Sequence, residues 1–298
     1  MKKAQIGNLI LVLAAFIWGL AFVAQSVGMR YVGAFTFLMA RSYLGGCFLI
    51  PCIALFSGNK KVKSRKSLYV GGVLCGTILF AASILQQIGI KYTSVGKSGF
   101  LTTLYIILVP ILSIVLHKKP SKRVWVAVGV ALAGLYLLCM KGSFHLDAGD
   151  SLILMSAFCF AIHILLIDYF SPRTDPVRLS CIQFFVCGIF STGPSLFIES
   201  PTVSNLMDAW MPIVYAGVLS SGVAYTLQII GQKYTDATKA SLIMSLESVF
   251  SVLGGWVILH QYLSARELLG CVCVFAAIVI VQLPERSKKI ETGQLDEN

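Results

Sequence analysis

The sequence predicts an all-α membrane protein with ten transmembrane helices, arranged as two inverted five-helix repeats. Three observations lead to this prediction. The 298 residues are 57% hydrophobic and only 12% charged, whereas about a quarter of a typical soluble chain is charged. Long stretches of the chain contain no charged residue, and one sequence motif occurs twice, at 86–97 and at 228–239.

Ten stretches contain at most one charged residue, and each approaches the ~20 residues that a helix needs to cross a ~30 Å hydrocarbon core. Continuously apolar runs of this length are typical of membrane helices rather than of the alternating strands of a barrel. Arg41 is the single charge of one run, and Glu247 is that of another. The runs are 4–29, 31–59, 67–90, 98–117, 124–140, 151–167, 179–198, 209–232, 240–265 and 268–284.

The first run follows Met1-Lys2-Lys3, which is also how a signal peptide begins. The run is longer than the apolar core of a signal peptide, it lacks a clear small-x-small cleavage site, and nine more runs follow it. We therefore expect it to be retained as the first helix.

Basic residues divide unequally between the two sides of the predicted membrane. With both termini in the cytoplasm, the inner segments contain 18 Lys and Arg and the outer loops contain 5, while Arg41 lies within a span. Cytoplasmic loops are enriched in Lys and Arg, so we expect a multi-pass protein of the cell membrane with both termini inside. The same loops account for the net charge of +11, so we expect no nucleic-acid partner.

The repeated motif reads QQIGIKYTSVGK at 86–97 and QIIGQKYTDATK at 228–239. The offset of 142 residues also relates Gly7 to Gly149, and it needs no gap from about 7 to 110. We therefore divide the chain into a first five-helix repeat at 5–141, a second at 147–284 and a short cytoplasmic tail at 285–298. Since five is odd, the second repeat enters the membrane in the opposite orientation, as in transporters whose two halves enclose a site near the midplane.

Several motifs resemble the EamA-type, ten-helix members of the drug/metabolite transporter superfamily. They include FIWGLAFVAQ in the first helix, Arg41 in the second, QQIGIKYTSVGKSGFLTTLYIILVP across the third and fourth, Gln183 in the seventh and SLESVFSVLGGW in the ninth. The resemblance implies secondary transport of small metabolites, often efflux of amino acids or related compounds, through a cavity between the halves. Two departures are Ser248, where members often have Pro, and His117 and His260, near positions where members often have a carboxylate.

Glu247 and Arg41 are the first candidates for a site. Glu247 lies about eight residues, or ~12 Å, into its span, and a carboxylate at that depth is a functional candidate that suits proton coupling or cation binding. Arg41 approaches a similar depth from the other side. It can pair with Glu247 as a gate, hold a substrate carboxylate in its guanidinium fork, or form a purely structural ion pair.

Six further residues complete the candidate substrate-binding or gating set. His163 can relay protons or make an ordinary helix contact, and Gln183 is the repeat counterpart of Arg41. The aromatic candidates fit either a pocket wall or a helix interface. Tyr105 has an additional argument, because its repeat counterpart is Glu247 and both then point toward the symmetry axis. The aromatic candidates are Trp18, Tyr105, Tyr225 and Trp256.

The sequence favours neither an enzyme nor a cofactor. GKS at 96–98 would complete a phosphate-binding loop only with Gly at position 91, which is Lys91. The nine cysteines fall in or at the ends of apolar runs without a Cys-x-x-Cys pair, which favours packing over metals or disulfides. We therefore expect no catalytic residue, metal or cofactor.

The sequence therefore predicts a secondary active transporter that moves a small polar metabolite by alternating access, with efflux as the expected direction. Its partners would be that metabolite, a proton or an exchanged metabolite, and the lipid bilayer. A membrane-embedded enzyme and a passive channel or scaffold are the alternatives, and dimerisation stays open.

Overall fold

The computed structural model describes residues 2–57, 64–92, 95–139, 148–259 and 264–283, so that His260 and the predicted tail lie outside the described residues. Within these ranges the chain forms helices and no strand. The α-helices are α1 (Lys2–Gly28), α2 (Ala34–Cys52), α3 (Arg65–Tyr92), α4 (Val95–Thr103), α5 (Tyr105–Val115), α6 (Lys122–Cys139), α7 (Ala148–Phe170), α8 (Pro176–Pro194), α9 (Val203–Asp208), α10 (Trp210–Val214), α11 (Tyr225–Gln232), α12 (Ala237–Met244), α13 (Leu246–Leu259) and α14 (Ala265–Gln282), and π-helical segments cover Ile53–Ser57, Ser195–Glu199 and Tyr215–Ala224.

Eight helical stretches in the described part of the chain are long and apolar enough to cross a membrane. Their outer surfaces display large apolar side chains, such as Phe197 at 89% exposure and Leu55 at 76%, which suit lipid rather than water. The prediction of an all-α membrane protein is confirmed, while the count of ten spans stays a prediction. The eight are Lys3–Gly28, Ala34–Ser57, Arg65–Tyr92, Lys97–Val115, Ala148–Phe170, Pro176–Glu199, Trp210–Gln232 and Ala265–Gln282.

Two ion pairs define the relative direction of α4–α5 and α7. Lys97, near the start of α4, pairs with Asp150 near the start of α7, and Lys118, just after α5, pairs with Asp168 near the end of α7. The two stretches therefore run parallel. The chain between them, which includes α6, has to return across the same thickness, as the predicted fifth helix requires.

The α12–α13 stretch lies beside α1 in the same direction. Near the start of α1, Asn8 accepts a 2.8 Å hydrogen bond from Thr235, which precedes α12. Further along, a Cβ on Gly19 would lie 2.5 Å from the Cβ of Phe250 in α13. The paired stretch follows α1 for about half its length, which supports a ninth span made of two shorter helices.

The repeated motif places glycine at two equivalent helix crossings. In α3, a Cβ on Gly89 would lie 2.9 Å from the carbonyl oxygen of Gly149 in α7. In α11, a Cβ on Gly231 would lie 3.1 Å from the carbonyl oxygen of Gly7 in α1. All four glycines obey the offset of 142, so the motif brings backbones into close contact at the ends of α3 and α11.

A distant carboxylate caps the start of α2. Glu199 accepts hydrogen bonds from the backbone N–H groups of Phe35 at 3.0 Å and Thr36 at 2.8 Å. The N-cap residue is Gly33, and a Cβ there would lie 2.0 Å from Cδ of Glu199. The absent side chain thus leaves room for the carboxylate, which satisfies two N–H groups that a helix start leaves unpaired.

The start of α8 has a corresponding cap, but here the carboxylate belongs to the N-cap residue itself. Its N-cap residue, Asp175, accepts a 3.0 Å bond from the backbone N–H of Arg178 and a 2.7 Å bond from Ser57 Oγ. Asp175 is 142 residues after Gly33, and Glu199 is 142 residues after Ser57. The two ends of the antiparallel α2–α8 pair are therefore each joined by a capping carboxylate.

We expect Glu199→Ala to destabilise the protein by about 1 kcal/mol, the usual loss when a helix cap is removed. Gly33→Ala should cost a similar amount, because its Cβ displaces the carboxylate from the cap. The double variant should be no less stable than either single variant, since both changes remove one interaction. Thermal unfolding of the four purified proteins measures this coupling, and additive losses would contradict the assignment.

Candidate functional site

A cavity lies among the helices, and residues of both sequence halves line it. Its volume is about 40 Å³, and its polar lining residues are almost inaccessible to solvent. The polar and aromatic side chains that line it are Trp18, Phe22, Gln25, Arg41, Gln86, Thr102, Tyr105, Phe160, His163, Ser220, Tyr225, Gln228 and Glu247; Ala21, Ile164 and Met244 complete the wall.

Residues related by the offset of 142 face this cavity together. Tyr105 and Glu247 are one such pair, and the two motif residues Gln86 and Gln228 are another. The further pairs are Trp18 with Phe160, Ala21 with His163, Phe22 with Ile164, and Thr102 with Met244. Most of the cavity wall therefore consists of equivalent positions in the two halves.

Tyr105 and Glu247 are in direct contact. The Tyr105 hydroxyl donates a 3.0 Å hydrogen bond to Oε1 of Glu247, and both side chains are buried. Among the described residues, Tyr105 is the one hydrogen-bond partner of this carboxylate. Contact between a residue and its own repeat counterpart places both on the predicted symmetry axis.

Helix breaks present these two residues to the cavity. Tyr105 begins α5 after a turn at Leu104, and Glu247 lies in the first turn of α13 after a turn at Ser245. Beside the breaks, the Thr103 hydroxyl bonds the carbonyl of Gly99 at 2.8 Å and that of Ser245 bonds the carbonyl of Leu242 at 2.7 Å. Hydroxyl groups that bond backbone carbonyls in this way compete with regular helix geometry.

Arg41 reaches the same cavity from α2 without touching Glu247. Its Nη1 donates a 3.3 Å hydrogen bond to Oε1 of Gln25, and its buried Nε has no partner in the structure. The two residues are not joined by an ion pair in the described part of the chain. The hypothesised Arg41–Glu247 gate is therefore absent from this conformation. Each of the two side chains is hydrogen-bonded to an uncharged residue instead.

His163 and Tyr225 build an aromatic corner of the cavity. His163 Nε2 lies 3.2 Å from Oε1 of Gln183, which is buried behind the wall and reaches the site only through this contact. The Tyr225 ring packs edge-on against Trp18 at 4.7 Å and His163 at 5.9 Å between centroids. Trp256 differs from these candidates, because it is 50% exposed in α13 and does not line the cavity.

Three buried polar atoms of the cavity wall have no hydrogen-bond partner among the described residues. They are two donors, Trp18 Nε1 and Arg41 Nε, and one acceptor, Gln228 Oε1. Leaving a buried polar group unpaired costs about 1–3 kcal/mol, so these atoms are available to a ligand or to water. Among the described residues, no three His, Cys, Asp or Glu side chains group closely enough to hold a metal ion.

Gln86 and Gln228 were missing from the residues predicted from sequence. Each is the first residue of the repeated motif, which we interpreted as a helix end and turn. Their signal was an identical polar residue at the same position of both copies. Gln25, Thr102 and Ser220 were also missed, because a single uncharged polar residue in an apolar run does not reveal which way it faces.

The EamA-like transporter family model matches this chain twice, over residues 5–140 and 147–283. The chain belongs to this family. An uncharacterized transporter of Archaeoglobus fulgidus is 27% identical over 94% of this chain and 87% of its own length. A chloroplastic WAT1-related protein of Arabidopsis thaliana is 21% identical over 93% of this chain and 69% of its own length.

A solved crystal structure shares the fold of this family member. It superposes with a TM-score of 0.79 over 93% of this chain and 96% of the other, at 18% sequence identity. The family assignment and the apolar helices identify a multi-pass membrane transporter of the EamA type.

We expect Tyr105→Phe to lower stability, because the buried Glu247 carboxyl loses its partner, at a cost of about 1–3 kcal/mol. Tyr31→Phe is the control, since Tyr31 is exposed. The double variant Tyr105→Phe/Glu247→Leu should recover much of the loss by removing the unpaired group. Thermal unfolding in detergent measures all three, and equal midpoints for the two single variants would contradict the assignment.

Proposed function

We propose that the protein is a secondary active transporter that moves a small polar metabolite, an amino acid or a related compound, out of the cell by alternating access. The observation that supports this most is the shared cavity, in which repeat-related residues of both halves meet. Two inverted halves around a central site can expose it to each side of the membrane in turn. Residues 5–141 and 147–284 are the proposed halves.

The small volume of the cavity supports a moving rather than a static site. About 40 Å³ accommodates a few water molecules, whereas small-molecule pockets measure about 300–1,000 Å³. A metabolite can enter only if helices separate on one side. We therefore assign this conformation to a step of the proposed cycle in which the site is too narrow for its substrate.

Two separated charges suggest how a substrate is recognised. Arg41 and Trp18 offer unpaired N–H donors, which suit a carboxylate. Glu247 and the unpaired oxygen of Gln228 offer acceptors, which suit an ammonium group. Because Arg41 and Glu247 do not neutralise each other, a zwitterionic metabolite can bind between them, and we favour this over the gate.

Glu247 also provides a place for energy coupling. A proton and a cationic substrate group both neutralise a carboxylate, so the two can occupy Glu247 alternately. Tyr105 keeps the carboxylate oriented at the junction between the halves. We propose coupling to a proton gradient at this residue, with exchange against another metabolite as the alternative energy source.

We expect Arg41→Gln and Glu247→Gln each to reduce substrate counterflow in proteoliposomes at least tenfold, because each removes a charge from the proposed site. The exposed residues Arg30 and Asp208 give matched controls, Arg30→Gln and Asp208→Asn, which should retain transport. Amino acids that raise the unfolding temperature of the purified protein are the substrates to load, since selective binding stabilises the folded state.

Counterflow also separates the alternatives. A carrier shows trans-stimulation, whereas a passive channel, a scaffold or an enzyme does not. Full transport by both charge variants would overturn the proposed roles of Arg41 and Glu247.

The predicted orientation in the cell membrane can be tested at two equivalent lysines, Lys91 and Lys233, both of which are exposed. In a variant without the nine native cysteines, we expect Lys91→Cys to react with an impermeant maleimide added to intact cells. Lys233→Cys should react only after permeabilisation, because its turn faces the cytoplasm. The reverse labelling pattern would overturn the orientation.

A further inference from the structure

A second pocket, which we name the lysine pocket, lies where α5 ends and where α6 and α12 begin. Its volume is about 260 Å³, and it shares no lining residue with the central cavity. Its polar and charged lining residues are Ser113, Lys118, Lys119, Ser121, Asp236, Thr238 and Lys239. Because α5 and α12 both lie at the ends of predicted spans, the pocket opens at the membrane boundary, on the face that charge counting predicts to be cytoplasmic.

A backbone motif builds one wall of the lysine pocket. At the end of α5, the N–H of Lys118 bonds the carbonyl of Ser113 at 2.9 Å, and the N–H of His117 bonds that of Ile114 at 2.9 Å. His117 has a φ of 59°, so the chain turns back in a Schellman motif. This turn brings Lys118 and Lys119 beside the last turn of α5.

Ser113 is a buried polar residue of the pocket wall. Its side chain is 1% exposed, and within the described ranges its Oγ has no hydrogen-bond partner, although it lines the pocket. A buried hydroxyl without a partner is unfavourable. An oxygen-rich ligand in the pocket would satisfy it.

The charge of the pocket is positive after its internal pairs are taken into account. Lys118 pairs with Asp168, which does not line the pocket, and Lys239 pairs with Asp236 at 3.4 Å. Lys119 has neither a hydrogen bond nor an ion pair within the described part of the chain. The two pairs neutralise two of the three ammonium groups, and the exposed Lys119 is the one that is left to an anion.

We propose that the lysine pocket binds a phosphate group, held by Lys119 and Ser113 with Lys118 and Lys239 beside it. A phosphate oxygen accepts from both ammonium and hydroxyl groups. Basic pockets at the cytoplasmic ends of transmembrane helices suit the headgroups of anionic phospholipids. A soluble phosphate compound presents the same group, and the experiment distinguishes the two sources.

The test measures thermal unfolding of the full-length protein in detergent with four probes. Phosphatidylglycerol is compared with phosphatidylcholine, and inorganic phosphate with chloride at equal ionic strength. The variants are Lys119→Gln and Ser113→Ala, with Lys122→Gln as the matched control, because Lys122 is an exposed lysine that does not line the pocket. Midpoints without any probe identify a variant that merely folds less well.

We expect phosphatidylglycerol to stabilise the parent protein and the control, and its apparent affinity to fall about fivefold when Lys119 is replaced. Ser113→Ala should lower the affinity as well. Stabilisation by inorganic phosphate with the same dependence on the variants would keep the phosphate site and assign it to a soluble ligand. An equal loss in Lys122→Gln, or no stabilisation by either phosphatidylglycerol or inorganic phosphate beyond its comparison probe, would overturn the proposal.

Discussion

The free-energy cost of placing charged groups in hydrocarbon determines which side chains of this protein face the interior of the helix bundle. An ionisable side chain inside a membrane span is stable only when it faces the interior of the helix bundle or a polar partner. Arg41 and Glu247 come from helices far apart in sequence, yet both are buried at one cavity. His163 is buried there too. Apolar helix surfaces are left for the outside, so the cavity and the lipid-facing surface result from the same constraint.

The bond between Tyr105 and Glu247 connects two helices that are both broken at this point. The neighbouring residue strengthens the connection, because Ser248 Oγ bonds the carbonyl of Gly99 at 3.2 Å. The resemblance led us to expect that related chains often have proline at this position, which could not make that bond. Here hydroxyl side chains lie at the helix breaks and also bond the two helices to each other. The contact between the halves is therefore polar, and its hydrogen bonds can break and re-form with other partners.

Much of the fold could be predicted from sequence, because membrane spans follow from runs without charge. The meeting of Tyr105 and Glu247 also had a signal, since equivalent positions of a repeat approach each other at a symmetry axis. Depth alone could not predict whether Arg41 and Glu247 pair, because it gives no direction around the helix. Trp256 was misleading for the same reason, since an aromatic ring is equally stable against lipid. The cap formed by Glu199 depends on a contact 163 residues away.

The differences between equivalent positions matter as much as the repeat. Tyr105 corresponds to Glu247, Ala21 to His163, and Arg41 to Gln183. The first half thus contributes the cation and a neutral hydroxyl, and the second contributes the carboxylate and the imidazole. In a symmetric site the inward-facing and outward-facing forms would bind a substrate alike. In the proposed alternating-access cycle, opening on one side would separate Arg41 and Glu247 from different neighbours than opening on the other, so the two forms would differ in affinity. The proposed coupling depends on such a difference, because a bound ion or substrate shifts a conformational equilibrium only by its differential affinity for the two states.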